Sequence, residues 1–183
     1  MRSLTDDEAR RWCATRRLTF GSKHLEFRDA ESQNCFSVNI ERRASSVVAL
    51  AEALVPEWEG ERFDGALLWI TARGIWGDHN ERTATRMFER MHGAADPIDP
   101  VGERPAQRFE PGELRDLHAF LAVPLLFGWD AYVALEEKDY ILFVCHDGVV
   151  GVVSASRDTH EALRERVRDW DPRDDPRWYF GGA

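Results

Sequence analysis

The last third of the chain packs three apolar runs close together: AYVALE, YILFVCH and VVGVVSA, separated only by EEKD and by Asp147-Gly148. Connections this short join antiparallel neighbours, because a parallel crossover needs a dozen or more residues. The runs therefore predict a three-strand C-terminal meander and commit the fold to a mainly antiparallel sheet. Asp147-Gly148 predicts a two-residue hairpin with positive φ at both positions.

The remaining segments must cover or extend that sheet. GALLWIT is a continuous apolar run between glycines, which predicts a central strand buried on both faces. KHLEF and CFSVNIE read as two strands joined by a polar hairpin loop, DAESQN. Four segments carry helical periodicity. In the first, Thr5 and Glu8 have capping-box spacing, and Ala9, Trp12 and Cys13 share a face. Val47, Leu50, Ala51 and Leu54 mark the second, which Pro56 stops, and Ala84, Met87, Phe88 and Met91 mark the third. The fourth runs from about Pro111 to near Pro124, with Leu114, Leu117 and Leu121 inward. A final helix follows Asp158, which has capping-box spacing to Glu161, and turns Leu163, Val167 and Trp170 inward.

Strands do not alternate strictly with helices, which disfavours a doubly wound fold. The expected class is α+β: a single, mostly antiparallel sheet of about six strands with helices packed on it. Residues 1–183 are expected to form one domain. Residues 93–112 are rich in Pro and Gly and read as a long loop, either functional or a joint between subdomains. The tail, 171–183, carries Trp178, Tyr179 and Phe180, an apolar cluster expected to dock back or to meet a partner.

Composition narrows the function classes. Hydrophobic residues make up 43% and charged residues 31%, which suits a folded, soluble chain. The net charge of -9 argues against nucleic-acid binding through phosphates and favours a basic protein partner. Lys23 and Lys138 are the only lysines, an arginine bias that fits a GC-rich bacterial genome. No apolar run reaches the length of a membrane span, and the charged N-terminus has no apolar signal core. Cys13, Cys35 and Cys145 are odd in number and contain no C-x-x-C, so no disulfide framework is expected and a cytoplasmic, reducing location fits.

Motifs for phosphate-binding loops, dinucleotide folds, hydrolase elbows and zinc proteases are absent, and no cofactor or metal site is assigned. The densest polar stretch is GIWGDHNE, which sets Trp76, Asp78, His79, Asn80 and Glu81 side by side. Asp78 and Glu81 have the spacing of a helix cap, and that reading is preferred. The sharper reading makes Asp78 and His79 a binding or proton-transfer pair. Trp129 and Asp130, at a helix-to-strand junction, form a second candidate binding place; the plain alternative is a buried Trp beside a turn aspartate. Cys145 and His146 are adjacent on a strand, so alternation should point them to opposite faces and keep them apart. His118 reads as a boundary residue of its helix. The expected function is a non-catalytic protein-binding or regulatory role, neutralising a basic partner. The alternative is a small hydrolase or transferase with a carboxylate–histidine site near Asp78, His79 and Glu81.

Overall fold

Central strand β5 (Ala66–Ala72) explains the layering, because it is apolar on both sides. Ala66, Leu68 and Ile70 enter one core, and Leu67 and Trp69 enter another on the opposite face. A strand of this kind can only sit inside a sheet that is covered twice. The computed structural model describes residues 1–20, 24–28, 34–56, 63–72 and 105–174. Before β5 come β1 (Arg2–Leu4), α1 (Asp6–Thr15), β2 (Leu18–Phe20), β3 (Leu25–Phe27), β4 (Asn34–Asn39) and α2 (Ala44–Leu54). After it come β6 (Ala106–Phe109), α3 (Leu114–Phe127), β7 (Asp130–Leu135), β8 (Tyr140–Cys145), β9 (Val149–Ser154) and α4 (Arg157–Arg166), with a final 3₁₀ turn at Arg168–Trp170.

Seven strands form one sheet in the order β1-β6-β5-β7-β8-β9-β4, and β2 pairs with β3 in a separate hairpin. All of these pairings are antiparallel. The fold is therefore α+β, and β7, β8 and β9 form the expected meander. Helices α2, α3 and α4 cover one face, and α1 with the β2–β3 hairpin covers the other. No helix among the described residues is long and apolar enough to cross a membrane.

Local chemistry accounts for the helix ends. The Thr5 hydroxyl accepts from the Glu8 amide, and the Glu8 carboxylate accepts from the Thr5 amide at 2.9 Å, closing the expected capping box. α2 ends without glycine. Its last carbonyls are satisfied from outside: the Tyr140 hydroxyl donates to Leu54 O at 3.1 Å, and His118 Nε2 donates to Val55 O at 2.7 Å. His118 thus ties α3 to the end of α2.

Several expectations need correction. KHLEF does not pair with CFSVNIE: β3 turns back on β2, and β4 joins the far edge of the sheet beside β9. Phe36 and Val38 explain this, because both are buried in the helix-covered core that β9 also lines. Part of the expected loop 93–112 is a strand, since β6 pairs with β5 and β1. Its short AQRF sequence carries no apolar alternation to mark it. Pro124 lies inside α3 rather than ending it; the helix runs to Phe127 and stops at Gly128, whose φ of 68° is left-handed. α4 is capped by Ser156, not Asp158: its hydroxyl accepts from the Thr159 amide. The expected helix of Met87 and Phe88 and the Trp178–Phe180 cluster lie outside the described residues.

Candidate functional site

Gly128 ends α3, and its left-handed turn delivers Trp129 to the core and Asp130 to the first position of β7. Trp129 is 1% exposed, packed in the helix-covered core. It anchors the junction. Asp130 begins the opposite alternation, sharing its face with Tyr132, which lies in the core under α1. The neighbouring end of β8 supplies Phe143 and Cys145 on that same face.

The link between β8 and β9 completes the constellation. Cys145 pairs with Val149, leaving a three-residue turn over 146–148. Gly148 N–H donates back to Cys145 O at 3.0 Å, and Gly148 alone in the turn has positive φ, 85°. The expected two-residue hairpin with two positive φ values is thus replaced by a three-residue loop closed by a left-handed glycine. The change matters at His146. That residue no longer follows strand alternation, so it is free to swing beside Cys145. An Asp130 oxygen, the Cys145 sulfur and a His146 nitrogen all lie within 4.8 Å of one another. The expectation that Cys145 and His146 stay apart is therefore overturned.

Asp130 holds His146 twice. One carboxylate oxygen accepts from the His146 backbone N–H at 2.7 Å and from Nδ1 at 2.8 Å. The second oxygen lies 3.0 Å from Nδ1. A carboxylate at Nδ1 fixes the proton there and leaves Nε2 with its lone pair. Nε2 lies 3.6 Å from Asp147 Oδ1, and the Cys145 thiol donates to Asp147 Oδ2 at 3.8 Å. Arg42 steadies the turn by donating to His146 O at 2.8 Å. Asp130 and His146 are part-buried, and Asp147 is largely exposed.

The local field is negative. Burial, with Asp130 and Asp147, raises the pKa of Cys145. Burial also pushes Cys13 up to about 12 and Cys35 up to about 11. Next to the cluster, Tyr132 Oη lies 3.0 Å from His24 Nδ1, and the Tyr132 and Phe143 rings stack with centroids 4.8 Å apart. Burial raises the Tyr132 hydroxyl pKa.

Of the residues singled out in the sequence, Asp130 enters this constellation, whereas Trp129 supports it from the other side of the sheet. Trp76, Asp78, His79, Asn80 and Glu81 lie outside the described residues. Clefts of about 370 and 560 Å³ lie away from the cluster. In the smaller, Arg16 is engaged by Glu136 at 2.5 Å and lies over the Trp12 ring at 3.9 Å. The larger is bordered by Cys35, His160 and Arg164. Compared with known proteins, the chain matches no family model, no curated protein and no solved structure.

Proposed function

We propose that the chain is a non-catalytic binding or regulatory protein. Its partner is a basic protein, and the sheet end formed by Asp130, Cys145, His146 and Asp147 receives the partner's positive charge. One observation carries the reading. Two carboxylates bracket a thiol whose pKa they help to raise, a field that welcomes a cation and suppresses a thiolate nucleophile. The net charge of -9 adds long-range attraction for a basic surface. Cys13, Cys35 and Cys145, none of them in a disulfide, suit a reducing, cytoplasmic setting.

The test compares a labelled lysine-rich peptide with a glutamate-rich one, by anisotropy at low and high salt. The lysine-rich peptide should bind, more weakly as salt rises, and the Asp130→Asn/Asp147→Asn protein should lose about tenfold in affinity or more. Equal binding of both peptides, or unaltered affinity in a folded double variant, would contradict the reading.

A second reading draws on the 2.8 Å contact between Asp130 and His146 Nδ1. It is a small hydrolase or transferase in which Asp130 orients His146 as a general base. The carboxylate–histidine pair it needs is then Asp130 with His146, in place of Asp78 with His79. Turnover of a model ester that vanishes in a folded His146→Gln protein would favour this reading over the first.

A further inference from the structure

The cluster at the β8–β9 turn combines donors of unlike softness: a thiol, an imidazole and a carboxylate. Basic side chains do not call for sulfur, and hard cations such as magnesium and calcium prefer oxygen alone. A sulfur, a nitrogen and an oxygen from consecutive residues are the donor set of a borderline-soft divalent ion. We propose that Cys145 Sγ, His146 Nε2 and the Asp147 carboxylate bind one divalent transition metal of the zinc class, with Asp130 orienting the imidazole. This deepens, and rests on, the reading of the same sheet end as a receiver of positive charge.

The spacing fits. Metal–nitrogen and metal–oxygen bonds of about 2.0 Å and metal–sulfur bonds of about 2.3 Å put tetrahedral ligands about 3.3–3.5 Å apart. Nε2 and Asp147 Oδ1 are 3.6 Å apart, and Sγ and Asp147 Oδ2 are 3.8 Å apart. The Asp147 side chain is largely exposed, so its carboxylate can turn to set one oxygen between the thiol and the imidazole. The Asp147 carboxylate already faces the thiol with one oxygen and the imidazole with the other. Asp130 meets the further requirement of a metal-binding histidine: it occupies Nδ1, so that Nε2 is the coordinating atom. Binding forms a metal–sulfur bond and releases the thiol proton to solvent. Three protein ligands leave a fourth position for water or for a group of the partner.

Strict strand alternation would set Cys145 and His146 on opposite faces. The three-residue turn removes that obstacle. Arg42, donating to His146 O, and Ile40, whose amide donates to Gly148 O at 2.8 Å, hold the turn in place.

Cobalt(II) is the probe, titrated into chelator-stripped protein and followed by absorption. The expected result is saturation at one equivalent, with a near-ultraviolet thiolate-to-cobalt charge-transfer band. Cys145→Ser should abolish that band, and Asp130→Asn should weaken binding by about 10- to 100-fold. Cys35→Ser, which alters a thiol outside the cluster, should bind as the parent does. Melting curves in metal-free buffer check that each variant folds, and zinc should raise the melting temperature of the parent but not of Cys145→Ser. Absence of saturable binding, or a parent-like band in Cys145→Ser, would overturn the site. Failure of cobalt binding with lysine-peptide binding intact would overturn the metal and leave the basic-partner reading standing. Cobalt binding without any preference for the lysine-rich peptide would support the metal and sink the basic partner.

Discussion

His160 shows how burial changes a single residue's chemistry. Its ring meets Phe36 edge to face, with centroids 5.2 Å apart, and Nδ1 is buried without a hydrogen-bond partner. Burial lowers its pKa, opposed by Asp174 and reinforced by Arg164. In the unfolded chain the imidazole protonates near its ordinary ~6.5; in the folded chain it protonates only at lower pH. Between those values the unfolded state holds more protons, so folding stability falls as pH drops below ~6.5. His160→Gln should flatten that part of a stability–pH curve measured by urea unfolding. An unchanged slope would mean that His160 has no part in it. Glu113 acts in a separate window. Its pKa is lowered, first by its hydrogen bond from the Glu110 amide, so its contribution disappears only in more acidic solution. Residue types alone announced Asp130 as a candidate but not its partners. Sequence distance hides the strand pairing that brings position 130 to position 146. The signal that could have found the site was Cys-His-Asp-Gly itself, read as a three-residue turn.

Elements were legible where apolar periodicity or a capping box marks them. α1 has its Thr5–Glu8 box, α2 its apolar stripe, and α4 its Leu163 and Val167. Elements without such a pattern escaped: β1 is three residues long, and β6 sits among prolines and glycines. Pro124 misled because proline usually ends a helix, yet here it lies on the last turn, and its carbonyl accepts from Gly128 and Trp129. At this scale the testable feature is the end of α2, which relies on Tyr140 and His118 instead of a glycine cap. Tyr140 is 1% exposed, so Tyr140→Phe strips a buried carbonyl of its donor. The expected cost is about 1–3 kcal/mol in chemical denaturation. A loss below a few tenths would mean that the Leu54 carbonyl finds another partner.

At the scale of the molecule, the sheet separates two cores and ends in a polar cluster at the margin of the core under α1, against which Cys145 packs. The three-helix face supplies rigidity through Trp129, and the opposite face presents Asp130 and Cys145. β5 also ends here, since Ala72 pairs with Asp130 across an irregularity after Ile70. The overall class followed from the three tight C-terminal runs and the doubly buried GALLWIT. The strand order did not, because joining β4 to β9 rests on long-range burial of Phe36 and Val38 rather than on any local signal. The expected basic partner and the expected absence of nucleic acid both derive from net charge, a property of the whole chain.

The central claim is that positive charge is received at the Asp130–Cys145–His146–Asp147 end of the sheet. The most direct measurement is a backbone amide chemical-shift map of the ¹⁵N-labelled chain, recorded as the lysine-rich peptide is added. The account predicts that the saturating shifts concentrate at 130–132 and 144–149 and collapse in the Asp130→Asn/Asp147→Asn protein. Shifts centred on the smaller cleft, lined by Arg16 and Lys138, or none at all, would contradict it.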